Sequence, residues 1–334
     1  MSGTTTDLQS LPLTFLVGCP RSGTTMLAAL IDRHSQFAVP PETHFFPRTY
    51  RKSVASPTID GLLESLTSNP RMADLGLDID VIRARLAEHP VTYASLLAIV
   101  LMDFSARAGK PRSAEKTPMH LMYVPEIVRW FPQSRIVCIV RDGRDVALSL
   151  RNVPWMHNYL RVHSYSWRYN AQLALQYQRE YPNQVLLIRF EDLVQSPQDT
   201  LTAVMQFIGS NFEAGQLEPG PTNAVPDWER AWKAKAAESL DGKRCYAWRQ
   251  QATPHEVITM TSMMQPYLQR FDYAGLTPGE CSRPRACREW VLNRVVRFSM
   301  WGVFSPLREL YKSRFVPTGG NSPRPTPQPR GDAP

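Results

Sequence analysis

The chain has 334 residues, of which 43% are hydrophobic, so it can fill a substantial core and disorder over most of its length is excluded. The formal net charge of +8 is unevenly placed, because residues 281–334 hold ten Lys/Arg against three Asp/Glu and the rest is nearly neutral. This distribution argues against a protein that binds nucleic acid over its whole surface.

The N-terminal residues are polar and lack a basic segment, and the first apolar run is interrupted at Gly18. We therefore expect neither a signal peptide nor a transmembrane helix. The five cysteines are odd in number and form no C-x-x-C pair, which predicts neither a disulfide framework nor a zinc site. A reducing, cytoplasmic setting is the expectation.

Short runs rich in Val, Ile and Phe alternate with helical patterns, which predicts an α/β fold with a central parallel sheet flanked by helices. Strands are predicted at 13–18, 36–39, 135–140 and 184–190, and the near-continuous hydrophobicity of the last two predicts burial on both faces. Helices are predicted at 23–34, in three stretches between 58 and 108, and at 119–131, 142–152, 163–181, 198–208 and 254–269. A Pro-rich and then charged mobile loop is predicted at 215–245.

The loop after the first predicted strand, residues 18–25, reads G-C-P-R-S-G-T-T. It keeps the glycine spacing and final hydroxyl of the phosphate-binding pattern G-x-x-x-x-G-K-[ST], but Thr24 replaces the lysine. The amides of Ser22 to Thr25 would open a helix that favours an anion, and Arg21 adds a fork of donors. Without the lysine, we expect a ligand with less charge than a triphosphate and no metal. An ordinary strand-to-helix turn is the alternative for the loop taken alone.

A second motif, "VRDGRDVALS" at 140–149, leaves another predicted strand and starts another helix. Arg141 lies at its mouth and Ser149 about two turns along, which predicts a second anion site made of a charged donor and a hydroxyl. Two anion sites at the carboxyl ends of two strands indicate a nucleotide with phosphates at both ends of its ribose.

These motifs resemble those of the sulfotransferases that use 3′-phosphoadenosine 5′-phosphosulfate (PAPS), and most closely the protein-tyrosine sulfotransferase and bacterial group. "PRSGTT" resembles the 5′-phosphosulfate loop and "VRDGRDVALS" the 3′-phosphate motif. Further segments occur in the expected order, namely "ETHFFPR" at 42–48, "EKTP" at 115–118, "RFEDLVQSPQDTL" at 189–201 and "WR" at 248–249. The resemblance covers residues 12–275 and implies a P-loop-like sulfotransferase fold. It also implies in-line sulfuryl transfer from PAPS to an alcohol, sugar or phenol hydroxyl.

The resemblance also implies roles for single residues. Glu42 would be the base, and Lys116 would contact the bridging oxygen and stabilise the leaving group. Arg21 would act in catalysis, in the pocket of the sulfuryl group, and would also bind the cofactor. The other cofactor-binding residues would be Ser22, Gly23, Thr24, Thr25, Arg141, Ser149, Trp248 and Arg249. His44 is the competing base, because an imidazole titrates near neutral pH and would project to the side of Glu42 in an extended segment. Phe190 stands where the family often has a tyrosine.

Residues 1–280 are predicted to form the sulfotransferase domain, 281–316 a basic helical extension and 317–334 a disordered Pro-rich tail. The arginines of the extension spread around a helical wheel, which favours packing on the domain over an amphipathic membrane helix. Weak contact with anionic lipid or an acidic partner is the alternative.

Two other functions stay open from the sequence. A P-loop kinase of a small metabolite would need ATP and magnesium, against which the missing lysine argues. A non-catalytic nucleotide-binding or scaffold protein would bind without turnover. The acceptor is not encoded by the cofactor motifs, so a sugar, a lipid, a peptide tyrosine and a small metabolite all remain.

Overall fold

The computed structural model describes residues 7–153, 159–220, 222–226, 240 and 242–274, all within one compact unit. The predicted extension at 281–316 and tail at 317–334 lie outside the described residues, as does most of the charged part of the predicted loop. Five parallel strands form the central sheet in the order β2-β3-β1-β4-β5. They are β1 (Thr14–Gly18), β2 (Phe37–Ala38), β3 (Arg112–Lys116), β4 (Arg135–Val140) and β5 (Val185–Arg189).

The helices surround this sheet, as the sequence predicts. Those in the first half are α1 (Thr24–Asp32), α2 (Ile59–Thr67), α3 (Ile79–Ala87), α4 (Tyr93–Arg107), α5 (Val124–Trp130) and α6 (Gly143–Arg151). Those in the second half are α7 (Leu160–Glu180), α8 (Phe190–Gln195), α9 (Pro197–Phe207), α10 (Trp248–Gln251), α11 (Pro254–Met264) and α12 (Tyr267–Arg270). Among the described helices, none is both long enough and apolar enough to cross a membrane.

Local sequence signals explain where several helices begin and end. The Thr58 and Thr92 hydroxyls accept hydrogen bonds from the first turns of α2 and α4, which satisfies amides that lack an intrahelical partner. Pro197 occupies the first turn of α9, and Gly209 follows that helix with φ 74°. A proline in the first turn and a glycine after the last one are common helix boundaries, and the helix predicted at 198–208 is confirmed to within one residue.

Two predicted helices differ from the observed ones. Residues 118–123 form a 3₁₀ turn before α5, so the predicted helix at 119–131 is regular only in its second half. The predicted helix at 254–269 divides into α11 and α12, because Pro266 has no amide to donate to the preceding turn.

Alternate residues of the central strands bury their side chains in two separate cores, one on each face of the sheet. Phe15 and Cys138 belong to the larger core, whereas Leu16 and Val137 belong to the smaller core beneath α1 and α9. The prediction that β4 is buried on both faces is thus confirmed. For β5 it is wrong, because this strand lies at the edge of the sheet and only part of it is buried.

Strand β3 is absent from the predicted strands. Its sequence, Arg-Ser-Ala-Glu-Lys, contains no apolar run, yet Glu115 and Lys116 are fully buried. The strand is stable in this position because each of these charged side chains finds a buried or half-buried partner. Lys116 is therefore the last residue of a strand of the sheet.

The chain leaves β1 and β4 in opposite directions along the sheet. From β1 it passes through α1 toward β2, and from β4 it passes through α6 and α7 toward β5. In open parallel sheets a crevice forms at the carboxyl ends of two such strands, and ligands bind there. Both predicted anion motifs follow these two strands, at residues 18–25 and 140–149.

Candidate active site

The loop between β1 and α1 has the compact shape of an anion-binding turn. Arg21 and Gly23 adopt left-handed backbone angles, with φ 72° and 99°. The first hydrogen bond of α1 runs from the Leu27 amide to the Gly23 oxygen, so the amides before Leu27 have no intrahelical acceptor. The amides of Gly23, Thr24 and Thr25 are among them, as an anion at this helix end requires.

Ser22 has a different position from its neighbours in this loop. Its amide donates to the Cys19 oxygen at 3.1 Å, and its side chain is fully buried. It lines a small cavity beneath the loop, together with Cys19, Cys138 and Asn170. The buried Ser22 hydroxyl has no hydrogen-bond partner among the described residues, and its predicted role in binding the cofactor stays a prediction.

The thiols of Cys19 and Cys138 at this cavity are unreactive. Burial raises the pKa of both Cys19 and Cys138 to about 12. Both thiols are therefore protonated at neutral pH, and neither supplies a thiolate nucleophile.

A side-chain hydrogen bond joins the two predicted anion motifs. The Arg21 Nε donates to the Ser149 Oγ at 3.0 Å, although the two residues are 128 positions apart. Burial lowers the pKa of the Arg21 guanidinium, Arg141 lowers it further, and Glu42 partly opposes them. Arg21, Arg141, Ser149 and Glu42 thus share one neighbourhood at the carboxyl edge of the sheet.

The Arg141 guanidinium is held over an aromatic ring. Its Cζ lies 4.6 Å from the centroid of Phe190, and its Nη2 donates to the Arg244 oxygen at 2.6 Å and lies 3.5 Å from Asp145 Oδ2. Within the described part of the chain, the buried Arg141 Nε has no hydrogen-bond partner. An unused buried donor beside a second guanidinium suits an anionic ligand.

The ring of Phe190 itself is buried beneath the first loop. A Cβ placed on Gly23 would overlap this ring, and the Phe190 side chain is 2% exposed. Phe190 therefore supports Gly23 and Arg141 from below, a role that needs no hydroxyl group.

Glu42 lies between two basic side chains. Lys116 Nζ donates to its Oε1 at 2.8 Å, and His44 Nε2 lies 3.1 Å from its Oε2. Lys116 has 0% of its side chain exposed, against 13% for Glu42 and 17% for His44. The segment is not extended as expected, because His44 has φ 46°, yet the two side chains lie on the same side and are in contact.

Trp248 and Arg249 differ in how closely they contact the second anion motif. The Trp248 backbone amide donates to Asp145 at 2.8 Å, its Nε1 donates to Asp142 at 3.1 Å, and Arg144 lies over its ring at 3.9 Å. Arg249 is exposed, with its guanidinium 5.6 Å from the Trp248 ring. The structure therefore ties Trp248 to the second anion motif and leaves Arg249 at the surface beside it.

Several buried acids that support the site carry no role in the sequence prediction. Glu191 accepts from the Asp142 amide at 3.0 Å and from the Tyr273 hydroxyl at 2.6 Å. Burial raises the pKa of Asp145, although Arg141 and the Trp248 amide oppose this. Glu115 has 0% of its surface exposed. Their only sequence signal is that each is an acid inside one of the segments that carry the family resemblance.

Comparisons with known proteins bear on the family and the fold of this chain. The family model described as "Sulfotransferase family" matches residues 12–214. A protein-tyrosine sulfotransferase of Drosophila melanogaster is 24% identical over 208 residues, covering 60% of this chain and 38% of the relative. Protein-tyrosine sulfotransferase 2 of Gallus gallus is 25% identical over 212 residues, covering 61% of this chain and 53% of the relative. The chain thus spans about half or less of the length of these two relatives.

Solved structures are similar over a larger share of the fold. The sulfotransferase domain of an olefin synthase from Synechococcus PCC 7002 superposes with a TM-score of 0.59 at 20% identity. That superposition covers 80% of this chain and 96% of the domain, and a sulfotransferase domain from the curacin biosynthetic pathway gives a TM-score of 0.54. The family model covers more than half of the chain, and the fold and the order of the motifs agree with it. The chain belongs to the sulfotransferase family.

Proposed function

We propose that this protein transfers a sulfuryl group from PAPS to a hydroxyl group of an acceptor. The observation that carries the proposal is that the hydrogen-bonded pair Arg21–Ser149, which joins the two anion motifs, and the Glu42–Lys116 pair both lie at the carboxyl edge of the sheet. The first pair suits an anionic nucleotide, and the second supplies a carboxylate base next to a buried ammonium group.

The residues present fit a nucleotide with separate 5′ and 3′ phosphates. The amides of Gly23, Thr24 and Thr25 would hold the 5′ side at the start of α1. Arg141, whose buried Nε has no partner in the described residues, would hold the 3′-phosphate with Ser149. Because the loop has no lysine to neutralise further phosphates, it suits a single 5′-phosphate better than a triphosphate.

Bound PAPS supplies an activated sulfuryl group on its 5′-phosphate. The Glu42 carboxylate would accept the proton of the acceptor hydroxyl as that oxygen bonds to sulfur. Lys116 would donate to the bridging oxygen as its bond to sulfur breaks, which offsets the charge that develops there. Arg21 would stabilise the outer oxygens of the sulfuryl group.

For the acceptor, we propose only the chemical group that reacts. The names of the relatives report protein tyrosine as an acceptor for those proteins, and this chain matches half or less of their length. We therefore propose a hydroxyl acceptor, and an alcohol, sugar or phenol each satisfies the chemistry at Glu42.

Calorimetric titration with adenosine 3′,5′-bisphosphate tests the nucleotide class, run beside ATP with and without magnesium. We expect metal-independent binding of the bisphosphate that weakens by roughly ten- to hundredfold in Arg141→Ala, the size expected for lost charged hydrogen bonds. Arg135→Ala is the matched control, because Arg135 begins the strand after which Arg141 directly follows.

The outcomes separate the rival functions. Binding of ATP with magnesium, and not of the bisphosphate, would replace the proposal by a kinase. Binding of the bisphosphate without sulfuryl transfer from PAPS to any of a panel of alcohols, sugars and phenols would favour a non-catalytic protein.

A further inference from the structure

Glu115 is a fully buried carboxylate on the strand that carries Lys116. Residues Phe15 and Leu16 of β1 pair with Glu115 and Lys116, and successive side chains of a strand point to opposite faces of the sheet. Lys116 meets Glu42, whereas Glu115 lies on the other face. There it accepts hydrogen bonds from Thr43 and Thr117, each at 2.7 Å, and from His120 at 2.8 Å.

Each of these three donors also holds one backbone amide just after Glu42. The Thr117 hydroxyl accepts from the His44 amide at 3.2 Å, and the Thr43 hydroxyl accepts from the Phe45 amide at 3.2 Å. The His120 Nε2 accepts from the Phe46 amide at 3.5 Å. Glu115 is therefore connected to the backbone amides of residues 44, 45 and 46, in each case through one side chain that hydrogen-bonds to both.

The charge of Glu115 fixes the direction of these hydrogen bonds. A carboxylate only accepts, so both hydroxyls and the His120 Nδ1 must donate to it. Their remaining lone pairs then face the three amides. Burial alone would raise the pKa of Glu115, but His120 and the two hydroxyls outweigh it, so the pKa lies below its ordinary value. The hydrogen bonds described here require Glu115 to be ionised, and they also stabilise its ionised form.

This network explains how the backbone beside the proposed base keeps an unusual shape. His44 has φ 46°, a left-handed angle that a residue with a side chain adopts at a cost in free energy. The three held amides, together with the Asn69 Nδ2 that donates to the Thr43 oxygen at 2.8 Å, oppose relaxation of this turn. Glu42 and His44 meet because of that turn.

We propose that Glu115 is a positioning residue, which acts through Thr43, Thr117 and His120 to hold Glu42 at the place where it accepts the acceptor's proton. The inference rests on the proposed sulfuryl transfer. It assigns a function to a buried acid that touches neither the nucleotide residues nor the Glu42 carboxylate.

Thr43→Val tests the proposal, because it keeps the volume of the side chain but removes the hydroxyl between Glu115 and the Phe45 amide. We expect kcat for transfer to fall by roughly ten- to hundredfold, as for a displacement of about 1 Å. The dissociation constant for adenosine 3′,5′-bisphosphate should change less than about twofold, since the nucleotide residues are untouched. Thr43→Ser restores the hydroxyl and should recover most of kcat.

Hydrogen exchange gives a second readout that requires no turnover. In Thr43→Val we expect faster exchange in peptides that cover residues 44–46, and in Thr43→Ser exchange close to that of the unmodified protein. Ile82→Val, a buried change in α3, is the control for loss of stability, and it should alter neither kcat nor exchange at 44–46.

An unchanged kcat in Thr43→Val, in a protein that does transfer the sulfuryl group, would overturn the positioning role and leave the proposed function intact. Unchanged exchange at 44–46 would overturn it as well. If the unmodified protein transfers nothing from PAPS, the proposed function fails first, and the role of Glu115 in it fails with it.

Discussion

At the scale of single residues, the carboxylate of Glu42 has two neighbours with different properties. Lys116 is fully buried, whereas His44 is partly exposed. The hydrogen bonds place both on the same carboxylate, one on each oxygen. Glu42 is the member of this trio that contacts both of the others, and we therefore propose it as the base in preference to His44.

Replacing Glu42 with Gln should lower kcat by about 10²- to 10⁴-fold, the usual contribution of a general base. Replacing His44 with Asn should lower it much less, because Asn keeps a donor for the Glu42 oxygen. The two variants are compared in steady-state transfer from PAPS, with bisphosphate affinity as the check on folding. A larger loss in His44→Asn than in Glu42→Gln would assign the base to His44.

At the scale of elements, the turn between β1 and α1 and the start of α8 depend on each other. Gly23 combines φ 99° with close approach to Phe190, and Phe190 in turn supports the Arg141 guanidinium. A side chain at residue 23 would therefore disturb both halves of the nucleotide site. Gly23 of the first motif and Phe190, the residue before "EDL", pack directly against each other.

Gly23→Ala should lower the free energy of unfolding by more than the roughly 1 kcal/mol typical of an unfavourable backbone angle, since steric overlap adds to it. Gly109→Ala is the matched control, because Gly109 has φ 68° and a Cβ placed on it would meet no atom within 4 Å. Urea unfolding measures both variants. Equal losses would mean that the Phe190 ring yields without cost.

At the scale of the whole molecule, two buried glutamates connect distant parts of the described chain and have opposite pKa shifts. Glu115 links β3 to residues 43–46, and its pKa lies below the ordinary value. Glu191 links the start of α6 to Tyr273, and burial raises its pKa, with the Tyr273 hydroxyl and the Asp142 amide opposing this in part. Ionised Glu115 therefore stabilises the folded protein, whereas ionised Glu191 destabilises it relative to the protonated form.

These directions predict opposite effects on the pH dependence of stability. The contribution of Glu115 is present above its unfolded pKa of about 4.3 and is lost as the pH falls through its lower folded pKa. The contribution of Glu191 is present below about pH 4.3 and is lost as the pH rises through its higher folded pKa.

Between pH 7 and pH 3, Glu115→Gln should therefore lose less stability than the unmodified protein, and Glu191→Gln should lose more. At pH 7 itself Glu115→Gln should be less stable by about 1–3 kcal/mol, because an NH2 group replaces one of the two oxygens that accept from buried donors. Urea midpoints across this pH range test both. Parallel curves for the two variants would contradict the assigned directions.

Much of the architecture follows from local pattern. The strands at 135–140 and 184–190, and the helices at 142–152 and 198–208, are predicted to within a residue or two, because apolar runs and capping residues act over a few positions. β3 escapes prediction because its buried residues are polar. Their burial depends on partners at Thr43 and Glu42, 72 and 74 positions away.

The amino-acid sequence by itself determined the alternation of strands and helices, the two anion motifs and the family, since these depend on residue types at fixed short spacings. Only the tertiary structure decided that Arg21 reaches Ser149, that Ser22 faces inward, and that Lys116 and Glu115 serve opposite faces of one strand. Such pairings depend on strand order and burial. Both emerge when segments far apart in the chain pack together and bury polar groups that must find partners.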